Sequence, residues 1–276
     1  MGTVALKMDS ALQSHIERIY EVPGFFGPLD AALFTRIFEA QDDAGVGGDV
    51  LEIGAFYGRS AILLEYLKGK EEVLHVSDLF EDTPPTRAGR MELASFQGDM
   101  PTRADFEAWF RSFHATIPVV HQGPSSALSP VELGRERFRF VHVDGSHTYE
   151  VVIQDVALAG DIATEGGVIV FDDFANVGHP GVAAALWPVV MQGELHPFAS
   201  SPSKLYVTRG SDRAAEYRTA LEDFATSQGY RCKSSELPDS VILSIWPSRE
   251  RRPLHARVAG RVRRSIRRAR VGRRTE

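Results

Sequence analysis

Between residues 49 and 246, short apolar runs alternate with stretches of helical period, and this alternation restricts the fold more than any other feature of the chain. A continuous apolar run of five or six residues, set between helices, reads as a parallel strand buried on both faces. Runs at 49–53, 73–77, 117–121, 138–143 and 167–171 are read as five such strands, with two more at 204–208 and 240–246. Helices are expected near 59–69, 103–114, 149–160, 180–191 and 212–228, and upstream at 9–21 and 30–41. The stretch 81–98, holding Pro84, Pro85 and Gly98, is expected to be an irregular loop of the kind that covers a site. The fold class is therefore α/β, a Rossmann-like doubly wound sheet of seven mostly parallel strands with helices on both faces.

Charge is unevenly divided. Residues 249–276 carry twelve arginines and two acids, leaving nineteen basic against thirty-five acidic side chains elsewhere. An acidic body is not the footprint of a nucleic-acid-binding core, so no nucleic acid is expected as a partner. In the tail, Val258, Val262 and Ile266 form a thin apolar stripe at helical spacing inside an arginine sheath. Four readings stay open: peripheral contact with an anionic membrane, binding of a polyanion, docking on a neighbouring subunit of a homo-oligomer, or a solvated extension. A single cysteine, Cys232, excludes an internal disulfide. With no secretory leader and no membrane-length apolar run, the expectation is a cytoplasmic protein, membrane-peripheral at most through the tail.

Four motifs carry chemistry. In DVLEIGAFYGRSAILL (49–64) a strand ends at Ile53, Gly54 and Gly58 allow a tight turn, and a helix follows. Its G-x-x-x-G spacing is neither a dinucleotide fingerprint nor a phosphate-binding loop, which disfavours a nicotinamide oxidoreductase. Glu52, an acid inside an apolar run, is suited to accept from a ligand ammonium; a generic strand–turn–helix is the alternative. Asp78 ends the second strand, where an acid either holds a ribose or caps the next turn. RFVHVDGSHTYEVVIQDV (139–156) puts Asp144 at the end of the fourth strand, with His147 three residues on. GGVIVFDDF (166–174) delivers Asp172 and Asp173 from the fifth. Three carboxylates gathered there repel unless a cation sits among them, and oxygen ligands favour Mg²⁺, Mn²⁺ or Ca²⁺. The alternative is that Asp172 or Asp173 caps the next helix or holds substrate directly.

LEIGAFYGRS resembles the first motif of the metal-dependent O-methyltransferases of the catechol type. PGFF, VDGSHTYE, GGVIVFDDF and HPGVAAAL together resemble more closely the bacterial family that includes macrolide-sugar O-methyltransferases, over about residues 20–190. The resemblance implies a class I methyltransferase fold using S-adenosylmethionine, divided into an N-terminal helical lid segment (1–45), a methyltransferase domain (46–248) and the arginine-rich tail (249–276). It assigns Glu52, Gly54, Ala55, Phe56, Gly58 and Ser60 to the methionine and sugar parts of the cofactor and Asp78 to its ribose. Gly123, Ser125 and Ser126 would flank the adenine, and Asp144 would reach both cofactor and metal. The ion, expected to be Mg²⁺, would be held by Asp144, Asp172 and Asp173.

Such an ion would chelate an acceptor hydroxyl, and His147 would take its proton. Some sugar methyltransferases carry a histidine two residues past the second metal aspartate; here Ala175 stands there, and His179 lies farther on. Phe25, Phe26 and the 81–98 segment are expected to close over a small hydroxylated acceptor, a sugar or sugar-bearing product first and a catechol-like phenol second. The rivals are a cofactor-binding protein without catalysis and, as some relatives are labelled, a hydroxylase. An iron oxygenase wants two histidines and one carboxylate, which three aspartates do not match.

Overall fold

A computed structural model describes residues 17–248, so the first sixteen residues and the arginine-rich tail lie outside it. The elements in order are α1 (Pro28–Asp43), β1 (Asp49–Ile53), α2 (Arg59–Leu67), β2 (Leu74–Asp78), α3 (Arg87–Ser95), α4 (Arg103–Arg111) and β3 (Val119–Gln122). After them come α5 (Pro130–Leu133), β4 (Phe138–Val143), α6 (Tyr149–Ile162), β5 (Ala163–Phe171), α7 (Pro180–Met191), β6 (His196–Ser200), β7 (Leu205–Thr208), α8 (Ser211–Ser227), β8 (Arg231–Leu237) and β9 (Ser240–Trp246). Among the described residues no helix is long and apolar enough to cross a membrane.

The strands form one sheet in the order β3-β2-β1-β4-β5-β7-β6-β9-β8. From β3 to β5 every neighbour is parallel, whereas β7 runs antiparallel to both β5 and β6. Successive strand residues point to opposite faces. Val50, Phe140 and Val168 therefore pack under α1, α2, α4 and α8, while Leu51, Val141 and Ile169 pack under α5, α6 and α7. The doubly wound α/β expectation holds on this point. At about 25 cal/mol per Å² of apolar area, two such layers supply most of the drive to fold.

Two expectations are corrected. Among the described residues the sheet has nine strands, not seven. β6 is short and contains Pro197, and β8 is a polar, largely exposed edge strand (RCKSSEL), so neither shows an apolar run. Second, the 81–98 segment is not wholly irregular: Thr86 accepts from the Gly89 amide and caps α3. The helix read at 9–21 falls mostly outside the described residues; of its last five, Glu17 and Arg18 are helical and Ile19–Glu21 form a 3-10 turn.

Candidate functional site

The five parallel strands end on one edge of the sheet, and the hydrogen-bond ladders run past the ends of β1, β3, β4 and β5. The Gly54 amide donates to Ser77 O (2.8 Å), Gly123 to Asp78 O (2.9 Å), Asp144 to Ile53 O (2.7 Å) and Asp172 to Val143 O (2.9 Å). These bonds hold the motif residues at the carboxyl edge, where open α/β sheets bind ligands.

On the β1–β2 side, the Asp78 carboxylate gathers the loop after β1. One oxygen accepts the Ala55 and Phe56 amides (2.7 and 2.9 Å), the other the Phe80 amide (2.7 Å). Burial pushes this carboxyl up, and the three amide bonds draw it back. A carboxylate offers about four lone pairs, so one acceptor position remains. Gly54 is required by packing: at φ +84° a Cβ would lie 2.1 Å from the Asp144 carbonyl oxygen. Beyond β3, Gly123 has open space where a Cβ would stand, and Ser125 lies in the 3-10 turn beside it.

Glu52 and Ser60 sit deeper than the motif reading placed them. Glu52 has no exposed surface; its Oε1 accepts from the Ser60 hydroxyl and meets His142 Nδ1 at 3.1 Å. The parallel register explains the second contact, because Glu52 and His142 are partners across β1 and β4. His142 Nε2 in turn lies 3.0 Å from Lys204 Nζ. An ammonium only donates, so His142 Nε2 accepts and its Nδ1 carries the hydrogen given to Glu52.

Lys204 is one of two residues, with Glu92, that the sequence did not point to. It stands immediately before β7, 1% exposed, with Nζ 2.7 Å from Asp172 Oδ2 and 3.8 Å from Asp144 Oδ2. Because β7 is antiparallel to β5, the start of β7 comes to the edge where β5 ends. Burial alone would lower the ammonium's pKa, but Asp144, Asp172 and Asp30 raise it above the usual lysine value. Burial likewise works against Asp172, yet the Lys204 ammonium holds it below the carboxylate range. Asp144 is pushed well above that range by burial and by the Asp172 charge. The charge repulsion that called for a cation among the aspartates is answered within the chain.

Asp173 turns away from Lys204. Its backbone is left-handed (φ 54°), and its Oδ2 lies 2.7 Å from His179 Nδ1 and 3.3 Å from His147 Nε2. The two imidazoles stack at 4.2 Å. Glu92, from α3, reaches into this cluster: Oε1 accepts from the His147 amide and Nδ1 (both 2.8 Å), and Oε2 from the Ser146 hydroxyl. Burial would raise Glu92, but these bonds from His147 and Ser146 keep it below its usual value. Of the aromatic pair in PGFF, Phe26 is in the core and lies over Lys204, whereas Phe25 is 82% exposed. Phe25, Phe56 and Phe96 form an aromatic rim, with centroids 5.8 to 6.4 Å apart.

This sheet order, with its ligand edge at the ends of β1, β2, β4 and β5, is that of the class I methyltransferase fold. Over residues 51–174 the chain matches the family model described as a methyltransferase domain. Among solved structures it is similar to the O-methyltransferase NovP, with 16% identity, TM-score 0.53, and 71% of this chain and 79% of that one covered. It is also similar to a protein from Corynebacterium glutamicum, with 13% identity, TM-score 0.52, and coverages of 75% and 92%. No curated protein matches the chain.

Proposed function

We propose that the protein transfers the methyl group of S-adenosylmethionine to a hydroxyl of a small acceptor, a sugar or sugar-bearing product first and a catechol-like phenol second. The observation that carries this reading is the tautomer imposed on His147. The ionised Glu92 only accepts, so Nδ1 donates to it and Nε2 is left facing Asp173 Oδ2 at 3.3 Å, where a proton taken up by Nε2 would meet a carboxylate. That is the arrangement of a general base for an attacking hydroxyl. The likeness to an O-methyltransferase supports oxygen as the nucleophile.

The residues present fit the cofactor. Asp78 keeps one acceptor position for a ribose hydroxyl, and Gly123 leaves room on the adenine side with Ser125 and Ser126 beside it. Gly54, Ala55, Phe56 and Gly58 shape the loop over the methionine half, with Glu52 and Ser60 as its buried support. The bound cofactor supplies an activated methyl; the chain supplies alignment, a proton acceptor and the aromatic rim that excludes water. Mg²⁺ does not fit the three aspartates, because Asp172 and Asp144 face the fixed Lys204 ammonium and Asp173 faces two imidazoles. No step is routed through such an ion. Lys204 keeps Asp172 charged and anchors the strand ends on which the acceptor would lie.

Calorimetric titration with S-adenosylmethionine and S-adenosylhomocysteine tests the cofactor, with micromolar binding expected. His147→Ala should leave that affinity within twofold while turnover on an accepted substrate falls by roughly 10²–10⁴. Absence of binding, or a variant with undiminished turnover, overturns the reading.

A further inference from the structure

We infer that His147, Asp173 and His179 form a binding site for a divalent transition metal, sharing only Asp173 with the oxygen-only aspartate site that the motifs suggest. Glu92 is charged and takes the Nδ1 hydrogen of His147, leaving Nε2 buried with no hydrogen-bond partner. Nε2 then faces Asp173 Oδ2 at 3.3 Å and Asp144 Oδ1 at 3.9 Å, so an unprotonated ring sets acceptor against acceptor. Two acceptors so placed need a cation between them, either a second proton or a metal ion. The same carboxylate is shared by His179 (2.7 Å), and one atom from each of the three side chains falls within 4.8 Å of the others.

The surroundings are those of a ligand set. A carboxylate on the far nitrogen of a coordinating histidine fixes its tautomer and raises its basicity, and Glu92 does this for His147. Lys204 removes Asp172 and crowds Asp144, so oxygen ligands for a hard ion are lacking while two nitrogens are offered. Two imidazoles and one carboxylate suit Fe²⁺, Co²⁺ or Zn²⁺ better than Mg²⁺. The ligand types expected of a facial triad are thus assembled by the fold from residues that the motifs list as one base and one acid. An ion on Nε2 uses the lone pair that a general base needs, so the metal-bound and base-competent forms are alternative states of one site. The inference rests on this geometry and not on methyl transfer.

The test is optical titration of the untagged, EDTA-stripped full chain with Co²⁺, followed by displacement with Zn²⁺. One equivalent of visible-band Co²⁺ is expected, with affinity at least tenfold weaker in His147→Ala and in His179→Ala. Glu92→Gln should weaken it by about 10–100-fold, and Asp144→Asn should change it less than twofold. His179 is partly exposed and starts no strand, so His179→Ala keeps the test decisive should another variant fail to fold. No Co²⁺ binding below millimolar, which leaves a proton as the shared cation, overturns the inference. So does binding indifferent to His179→Ala, or Mg²⁺ binding that is lost in Asp144→Asn and unaffected by the histidine changes. A parallel S-adenosylmethionine titration keeps failure of the metal site separate from failure of the cofactor reading.

Discussion

Replacing Lys204 by methionine tests the electrostatic account of the site most directly. Methionine is close to the lysine stem in length, so little cavity is created, and the change removes mainly the ammonium. Asp172 would lose a partner 2.7 Å away while staying 15% exposed, and His142 would lose the donor on Nε2. Removing one member of a buried ion pair costs about 3–5 kcal/mol, because the other charge stays uncompensated. For a domain of this size each kcal/mol lowers Tm by roughly 2–4 °C, so a fall of about 6–20 °C is expected. The pH dependence is the sharper signature. In the parent chain Lys204 holds Asp172 below the carboxylate range, which adds stability above the unfolded carboxyl value and loses it as pH falls through the depressed one. Without Lys204, burial dominates and Asp172 takes up a proton at higher pH. Urea unfolding at pH 8 and pH 5 should therefore show a large gap between parent and Lys204→Met that narrows at the lower pH. The double variant Lys204→Met/Asp172→Asn, in which both charges are gone, should recover more than half of the loss. A gap below about 1 kcal/mol at pH 8, smaller than a buried pair allows, or a gap equal at both pH values, refutes the reasoning.

Two further predictions follow from the same edge of the sheet. Asp78→Asn removes charged acceptors from the loop amides and from the free position; S-adenosylmethionine affinity should fall at least tenfold, about 1.4 kcal/mol, and unfolding free energy by about 1–3 kcal/mol. Calorimetry and urea melts check both, and an affinity within twofold of the parent refutes the assignment. Asp155 lies within α6, where burial pushes its carboxyl up to about 7 while the Ser125 hydroxyl draws it back. A raised folded value adds stability below the unfolded carboxyl value that is lost as pH rises toward 7, at roughly 1.4 kcal/mol per unit. Asp155→Asn should flatten this decline between pH 4 and 7 and be the more stable chain at pH 8; parallel urea profiles for the two chains would rule that out.

Much of the architecture was legible in the chain because its causes are local. A strand buried on both faces must be a continuous apolar run, so β1, β2, β4 and β5 announce themselves, and the acids and glycines that follow them mark the ligand edge. Asp78, Asp144, His147, Asp172 and Asp173 stand at those strand ends and turns, where that logic places them. The edge strand β8 escaped because solvent on its faces removes the apolar signal, and β6 because it is five residues long with a proline.

What sequence could not decide was which side chains meet. Lys204 lies 32 residues after Asp172 and follows a strand whose direction no local pattern reveals; only the antiparallel pairing of β7 with β5 carries its ammonium to the aspartates. Glu92 sits in a segment read as loop, yet α3 aims it at His147. By itself the sequence determined the strand ends and the chemistry arriving at each. Tertiary structure decided which of those groups are paired, because pairing of charges depends on distances of a few ångströms that strand order and direction alone set.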